Sequence, residues 1–543
     1  MDIRAVVAFL LFFVVGCLLP SVSAGQCNTA PIRLSIKNVT IPSGKLRRGV
    51  SMGVGTPAQM LAFQPKWDNN NTYVFGPKCQ SDGFANTPAA CSTFRGGVFD
   101  PAKSTSGAAT NQSFIPPVDP FASNSYAYFT DVVKFDDNAS LDKFPMGQVI
   151  NSSDWGLQAY DPLNIIGMSA GSLFLNTLYQ AGKIASRSFG YFWGLDGASA
   201  RDQMDGSFVV GGYDRAKTIG SPYTGTISSQ PNCPSGLLVT IRDIVLNFRN
   251  GTDQSIFPSD NGGTALLACV YPELPVLMDM PRTPQFSNLL ASTGMIEFSR
   301  SRGIQWWNVI VGTDQNIKQL YDGDMTIRFE GGLQIAVPNR LLIVPETKIL
   351  DSGDITANSS SPVIVINSLQ STTAQSIPKL GRNFFSLAYL QVNQDSGKFS
   401  IWQANPTPSE DLVVVDEKNA VLQGGRACPS GVANTTGPTT TTPSPQPKES
   451  QKASLPAGAL AGIAVGAVAA VALLAGLAWF LVRKRKAKAA AAAESKSSAA
   501  QATDEAGKSR AGADYYPSQG IPHYIPQELP QQTRRQDPAE LEG

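Results

Sequence analysis

The stretch GSFVVGGYD, residues 206–214, decides the fold class. It is a short run of β-forming side chains that ends in a Gly-Gly pair, which is typical of a strand followed by a tight turn. Comparable short runs occur at residues 326–329, 390–393 and 398–402. Only residues 172–184 carry apolar side chains at helical spacing. The pattern therefore predicts a mainly β protein, and a length of 543 residues allows two lobes.

The composition excludes several kinds of chemistry. Lys plus Arg number 43 and Asp plus Glu number 42, so a net charge of +1 gives no general attraction for nucleic acid. The single histidine, His523, lies near the C-terminus. A Ser-His-Asp triad, a Cys-His pair and an HExxH zinc site therefore cannot form from the residues that precede His523. We expect no cofactor, metal or nucleic-acid partner, and any hydrolysis would depend on paired carboxylates.

Both ends of the chain have targeting features. Residues 1–24 combine Arg4, an apolar run and a small-residue cleavage site, which predicts a secretory signal peptide. Residues 455–482 contain an uncharged apolar stretch longer than the roughly 20 residues that span a bilayer. A basic run follows at residue 483, which predicts a cytoplasmic tail over residues 483–543. We expect a type I single-pass protein at the plasma membrane or cell surface, with residues 25–428 outside.

Three glycines recur at every fourth position within the predicted membrane segment, Gly458, Gly462 and Gly466. They would share one helix face, where small residues allow a second helix to approach closely. This spacing favours a transmembrane homodimer. The alternative is that glycine is simply common in membrane helices.

The cysteines and glycan acceptors fit an oxidised, glycosylated ectodomain. Of seven cysteines, Cys17 leaves with the signal peptide and six remain. A metal site is disfavoured because no CxxC pair occurs. Six cysteines can pair in several ways, and loop closure favours near neighbours. We expect the disulfides Cys79–Cys91, Cys233–Cys269 and Cys27–Cys428. The Asn-x-Ser/Thr acceptors are Asn38, Asn70, Asn111, Asn138, Asn151, Asn250, Asn358 and Asn434.

Residues 429–454 are rich in Thr, Ser and Pro. Such a segment cannot bury a core, and it predicts an extended, O-glycosylated stalk between the folded region and the membrane. The stalk suits a protein that stands in a cell wall or a thick glycan layer.

Several short motifs occur in a fixed order between residues 45 and 404. They are GVGTPAQ at 53–59, the spacing of Cys79 and Cys91, GVFDP at 97–101, NIIGM at 164–168, GSFVVGGYD at 206–214 and LGRNFF at 380–385. In this order they resemble the pepsin-like aspartic peptidases, including anchored fungal members. The resemblance implies a bilobal β fold, with an N-lobe of about 27–220 and a C-lobe of about 221–428.

Catalysis in that family rests on two Asp-Thr/Ser-Gly motifs, whose carboxylates hold a nucleophilic water. Counting from the GVGTPAQ hairpin, the first catalytic position is Lys66, followed by Trp67 and Asp68. In residues 265–277 the second falls on Pro272, followed by Glu273. Both acids of the dyad are thus replaced, and Asp68 and Glu273 are the fallback acids.

A literal Asp-Ser-Gly occurs at residues 351–353. It lies too late in the chain for the second catalytic loop, and it precedes the acceptor Asn358. We therefore expect a glycan-bearing surface turn there. The Tyr-Gly-Thr-Gly of the family's flap is also missing, and Tyr126 and Tyr128 occupy that region.

The sequence therefore predicts a cell-surface pseudoprotease that binds a peptide, a wall protein or a glycan. Candidate ligand contacts are Trp67, Tyr73, Tyr126 and Tyr128, although such aromatic side chains could equally pack where the dyad was. One alternative is an active membrane-anchored aspartic-type endopeptidase. Another is a cell-wall sensor or adaptor that signals through its tail.

Overall fold

A computed structural model describes residues 29–78, 87–110, 126–136, 139–150, 163–197, 202–258, 265–313, 319–370, 373 and 375–422. The predicted signal peptide, stalk, membrane segment and tail, together with Cys27, Cys79 and Cys428, lie outside these residues. Within the described ranges, no helix is long and apolar enough to cross a membrane.

The chain is mainly β, as the short apolar runs predicted. The strands of the first half are β1 (Ile32–Thr40), β2 (Leu46–Val54), β3 (Gln59–Lys66), β4 (Tyr73–Phe75), β5 (Ala108–Ala109), β6 (Tyr126–Asp136), β7 (Ala139–Val149), β8 (Asn164–Gly167), β9 (Ser188–Phe192), β10 (Leu195–Asp196), β11 (Gln203–Met204), β12 (Gly206–Val210) and β13 (Gly212–Asp214).

The remaining strands form the second half. They are β14 (Thr218–Thr226), β15 (Leu238–Asn247), β16 (Asp253–Ser255), β17 (Leu266–Val270), β18 (Met278–Met280), β19 (Met295–Arg300), β20 (Val309–Thr313), β21 (Asp324–Phe329), β22 (Gln334–Val337), β23 (Ile343–Ile349), β24 (Ile355–Ile364), β25 (Ile366–Ser368), β26 (Lys379–Leu380), β27 (Ala388–Asn393), β28 (Lys398–Ala404), β29 (Leu412–Val415) and β30 (Val421–Leu422).

The helices are short: α1 (Pro88–Phe94), α2 (Leu173–Gln180), α3 (Ser287–Thr293) and α4 (Asn339–Leu342). The apolar spacing of residues 172–184 predicted α2. Its N-cap is Ser172, whose hydroxyl accepts from the backbone N–H of Leu175 at 3.1 Å. The other helices, each of seven residues or fewer, were not predicted, because so short a helix has too few turns for periodicity to show.

The two halves share one sheet. Its order is β14-β28-β27-β9-β12-β1-β2-β3-β8-β4-β7-β6-β5, so β27 of the second half pairs with β9 of the first. Strand β14 itself crosses the predicted lobe boundary at residues 220 and 221. The second half adds the sheet β22-β21-β15-β17-β26-β18-β25 and the sheet β19-β20-β24-β23. A single cluster of buried apolar side chains extends through both halves.

The same three-strand motif occurs once in each half. In the first, β8 lies between β3 and β4, parallel to β3 and antiparallel to β4. In the second, β26 lies between β17 and β18, parallel to β17 and antiparallel to β18. Each motif leaves a loop after its first strand, residues 67–72 and 271–277, and these loops carry the site described next.

Candidate functional site at the junction of the halves

The loop positions that face each other follow from strand register. Lys66 is paired with Gly167 in the first motif, and Val270 is paired with Leu380 in the second. One residue further along, the backbone N–H of Tyr271 donates to the carbonyl of Leu380 at 2.8 Å. Gly167 is the last residue of β8 and Gly381 directly follows β26, so we take Lys66 and Tyr271 as matching positions. The sequence-based assignment of the second catalytic position to Pro272 stays a prediction, and Pro272 directly follows Tyr271.

The two matching side chains meet. The ammonium of Lys66 lies 5.9 Å from the ring centroid of Tyr271. It also forms an ion pair with Asp68, at 3.2 Å from Oδ1. The Tyr271 hydroxyl donates a hydrogen bond to the other oxygen of Asp68, Oδ2, at 2.8 Å. Both oxygens of Asp68 are thus engaged, one by a cation and one by a phenol from the opposite half.

Glu273 makes the reciprocal contact. Its Oε1 accepts a hydrogen bond of 2.6 Å from the backbone N–H of Trp67 in the first half. The amide of Gln64 donates to the backbone carbonyl of Glu273 at 3.3 Å. Each fallback acid therefore ties its own loop to the loop of the other half. The sequence predicted both acids as residual candidates, and the structure brings them to one place.

Burial determines the charge state of Glu273. Its side chain is 0% exposed, whereas 22% of the Asp68 side chain is exposed. Burial, and next the negative charge of Asp68, raise the pKa of Glu273 to about 8, against the lowering effects of Lys66 and the Trp67 N–H. Glu273 is therefore protonated at acidic and neutral pH. Its Oε2 finds no hydrogen-bond partner among the residues that the structure describes.

This arrangement constrains the chemistry of the site. Carboxylate hydrolysis needs one ionised and one protonated acid around a shared water. Glu273 keeps its proton, while Lys66 forms an ion pair with one oxygen of Asp68 and Tyr271 donates a hydrogen bond to the other. Glu273 is closed off from solvent. The described side chains thus hold the two loops together across the junction.

Of the four aromatic ligand candidates, three are buried in the core. Trp67 is 2% exposed and packs edge-on against Phe189 and Tyr191, with centroids 5.7 and 5.2 Å apart. Tyr73 is 0% exposed. Burial leaves almost no surface of either ring for a ligand. Tyr126 is 8% exposed and Tyr128 is half-buried.

The decoy Asp-Ser-Gly is a turn between β23 and β24, as expected. The turn is not free, however: Thr87 at the start of α1 donates to the carbonyl of Asp351, and Thr93 donates to the carbonyl of Gly353 at 2.8 Å. Asp354 forms an ion pair of 2.9 Å with Lys45. The turn therefore docks the second half onto the first, and Asp351 takes no part in the Lys66 site.

The expected disulfide Cys233–Cys269 is confirmed, with Cα atoms 5.4 Å apart. Cys91 is disulfide-bonded, while its expected partner lies outside the described residues. The acceptors Asn38, Asn250 and Asn358 are exposed, and Asn70 is half-buried. Asn111, Asn138, Asn151 and Asn434 fall outside the described ranges.

Sequence reasoning missed two residues that support the site. Arg382, which is 4% exposed, donates to Gln64 at 3.3 Å, and Gln64 in turn contacts Glu273. Tyr271 lies in the stretch 265–277 that was searched for the second catalytic motif, but it was not named as a site residue. The only sequence signal for Arg382 was an arginine inside the apolar block LGRNFF, where a cation needs a reason to be buried.

Comparisons with known proteins give limited information. No family model matches the chain, and no curated protein matches it. Among solved structures, the chain is similar to the aspartic proteinase from Irpex lacteus, with 14% sequence identity and a TM-score of 0.44. The alignment covers 70% of this chain and 100% of that chain.

Proposed function

We propose that residues 25–428 form a pepsin-like ectodomain that has lost catalysis and binds a ligand instead of cleaving it. Two observations support the architecture: the family-like motifs occur in order, and each half contains the same three-strand motif. Loss of catalysis is supported by the absence of a carboxylate at the predicted dyad positions Lys66 and Pro272, and at Tyr271, which meets Lys66. A peptide, a wall protein or a glycan is the proposed ligand class.

The observation that carries this proposal is the state of Asp68. One of its oxygens is ion-paired to a buried ammonium and the other accepts from a phenol of the opposite half, so Asp68 could act on a water only if these contacts broke. The protonated Glu273 opposite it is committed to the backbone of Trp67. Both acids thus have structural partners that explain their presence without catalysis.

An active endopeptidase is the second candidate, and one specific observation favours it. Asp68 contributes to the raised pKa of Glu273, so the two acids lie close enough to interact across the junction. An ionised and a protonated acid side by side is the electrostatic condition for a hydrolytic dyad. This candidate requires Lys66 to leave Asp68 when a substrate binds.

A proteolysis assay separates the two candidates. The purified full-length chain is incubated with a denatured protein substrate at acidic to neutral pH, alongside Asp68→Asn and Glu273→Gln. We expect no cleavage above background in any of the three. Cleavage by the unmodified chain that pepstatin inhibits and that either substitution abolishes would establish the peptidase and overturn the proposal.

We further propose that the ectodomain is anchored at the cell surface by residues 455–482, on the stalk of residues 429–454, with the tail in the cytoplasm. The support is the sequence pattern alone. Labelling of intact cells by an antibody to residues 29–422, with no labelling by an antibody to the tail, is the expected result. Labelling only after permeabilisation would contradict this topology. Dimerisation through Gly462 and signalling through the tail stay predictions.

A further inference from the structure

A second polar site lies between the halves, distinct from the Lys66 junction. A cavity of about 610 Å³ is lined on one side by the start of β2 and the β10–β11 turn of the first half. Its other side is formed by residues 304–305 and the β23–β24 hairpin of the second half. The lining includes three cations, Lys45, Arg47 and Arg48, and two acids, Asp196 and Asp354.

Arg47 is the unusual member of this set. Arg47 is only 5% exposed, yet its Nε has no hydrogen-bond partner among the described residues. Among the described residues, no carboxylate forms an ion pair with it. Burial of a guanidinium without a counter-ion is costly, because the charge loses hydration that nothing replaces. A buried cation that faces a cavity therefore points to something in that cavity.

Two further arginines strengthen the positive potential. Arg48 is 6% exposed and also has an unpartnered Nε, while its Nη2 donates to the carbonyls of Trp193 and Met204 at 2.7 Å. The guanidinium groups of Arg48 and Arg382 both lie over the ring of Trp193, at 5.4 and 4.9 Å from its centroid respectively. Burial, and next the positive charge of Arg382, lower the pKa of Arg47 to about 10.

The negative charges do not balance these cations. Asp354 is already used by Lys45, at 2.9 Å. Asp196 is the one acid that stabilises the charge of Arg47, and it is exposed. The described groups thus leave a buried excess of positive charge on the first-half wall of the cavity. The facing wall includes the apolar side chains of Ile304, Val344 and Pro345.

We propose that this cavity binds a small molecule that carries an oxyanion, with Arg47 and Arg48 as the anion ligands. The planar guanidinium matches the geometry of phosphate, sulfate and carboxylate groups. A cavity of about 610 Å³ is larger than a bare oxyanion needs, so the uncharged part of the ligand lies against the apolar wall. Because both halves line the cavity, the bound ligand bridges them.

The test is a binding titration of the full-length chain with inorganic phosphate, sulfate and citrate at fixed ionic strength, with chloride as the reference. Calorimetry and thermal unfolding should show saturable binding of at least one oxyanion. Comparing the affinities for phosphate, sulfate and citrate identifies the anion that the site prefers. Arg47→Met should weaken that binding by about tenfold or more, because it removes a charge-assisted hydrogen bond. Arg47→Lys should retain part of it.

Two further variants keep the result decisive. Lys37→Gln removes the same charge from an exposed position outside this cavity and should leave binding unchanged. Asp196→Asn removes the competing acid and should tighten oxyanion binding, an effect that a structural role of Arg47 would not produce. The proposal is overturned if no oxyanion gives saturable binding, if Lys37→Gln weakens binding as much as Arg47→Met, or if Asp196→Asn leaves the affinity unchanged.

Discussion

At the scale of single residues, each of the two acids at the junction contacts the loop of the opposite half. Asp68 and Glu273 each accept a hydrogen bond from the opposite half, from Tyr271 and from Trp67 respectively. Their environments differ, because Asp68 has a cation beside it and Glu273 is fully buried. Asp68 therefore binds an ammonium, whereas Glu273 keeps its proton.

The raised pKa of Glu273 predicts a pH dependence of stability. Its folded pKa of about 8 lies above the reference value of 4.5, so the folded state holds a proton that the unfolded state has lost. This contribution to the free energy of unfolding is complete below pH 4.5 and is lost as the pH rises towards about 8. Glu273→Gln should remove it, which changes the slope by at most about 1.4 kcal/mol per pH unit.

Urea denaturation across this pH range measures the difference between the two proteins. Asp279→Asn is the matched control, because burial raises the pKa of Asp279 to only about 6. The change that Asp279→Asn makes in the pH dependence of the free energy of unfolding should end near pH 6. The change made by Glu273→Gln should continue towards pH 8. Identical pH profiles for Glu273→Gln and the unmodified chain would contradict the assigned protonation state.

In a double-mutant cycle of the Lys66–Asp68 ion pair, we expect the two single substitutions to lower the free energy of unfolding by unequal amounts. Asp68→Asn leaves a buried ammonium without its carboxylate and should lower the free energy of unfolding by about 1–3 kcal/mol. Lys66→Met should cost less, because Asp68 is partly exposed. Added to Asp68→Asn, Lys66→Met should restore part of the loss.

The exposed pair Arg249–Asp322, at 2.9 Å, supplies the control for this cycle. Asp322→Asn should change the free energy of unfolding by no more than about 0.5 kcal/mol, because exposed ion pairs contribute little. Strict additivity of Lys66→Met and Asp68→Asn would show that the two side chains do not interact in solution.

The sequence predicted part of this site and missed part of it for a physical reason. Lys66 could be placed because the distance from the GVGTPAQ hairpin is a local property of consecutive residues. Tyr271 could not, because its match to Lys66 depends on the register of two strand pairs that join distant segments. The burial of Trp67 and Tyr73 likewise depends on side chains, such as Phe189, that are far away in sequence.

At the scale of elements, the β23–β24 turn shows how one half is fixed onto the other. Thr87 and Thr93 of the α1 region bind the carbonyls of Asp351 and Gly353. Trp306 packs into the apolar cluster that includes Phe94 of α1. The strands themselves were predictable from short apolar runs, whereas this docking was not. A turn sequence fixes the local bend, but it does not specify which helix the turn will meet.

Gly353 gives a test of this docking. Its φ is +81°, and a Cβ added there would lie 2.9 Å from the carbonyl oxygen of Ala89. Gly331 has a similar φ of +78° with nothing within 4 Å of the added Cβ. Both Gly→Ala substitutions carry the left-handed backbone cost, so their difference isolates the contact with α1.

We expect Gly353→Ala to lower the free energy of unfolding by about 1–2 kcal/mol more than Gly331→Ala does. Urea denaturation of both variants measures it. Equal effects of the two substitutions would mean that the turn does not press on α1 in solution.

At the scale of the whole molecule, the links between the halves include the shared sheet at β9 and β27, the pairing of β13 with β29, the Lys66 junction and the docked β23–β24 turn. A hydrogen-bond path also runs from Arg382 through Gln64 to Glu273, and the charge of Arg382 acts on Arg47 of the arginine cavity. The overall β character could be predicted from the sequence. The number and position of these links could not, because each joins residues that are far apart along the chain.

These links predict that the halves unfold together. Their common core and shared sheet leave no boundary at which one half could separate without exposing apolar surface. Calorimetry of the full-length chain should show one cooperative transition for residues 29–422. Two separated transitions, each altered by substitutions in one half only, would contradict this coupling.

The central claim is that the acids at the junction bind each other's loops and do not hold a catalytic water. A high-resolution crystal structure at acidic pH tests it most directly. We expect the Lys66 ammonium to be ion-paired with one oxygen of Asp68 and the Tyr271 hydroxyl to donate a hydrogen bond to the other. We also expect Glu273 to accept a hydrogen bond from the N–H of Trp67. A water held jointly by the carboxyl groups of Asp68 and Glu273, with Lys66 turned away, would contradict it.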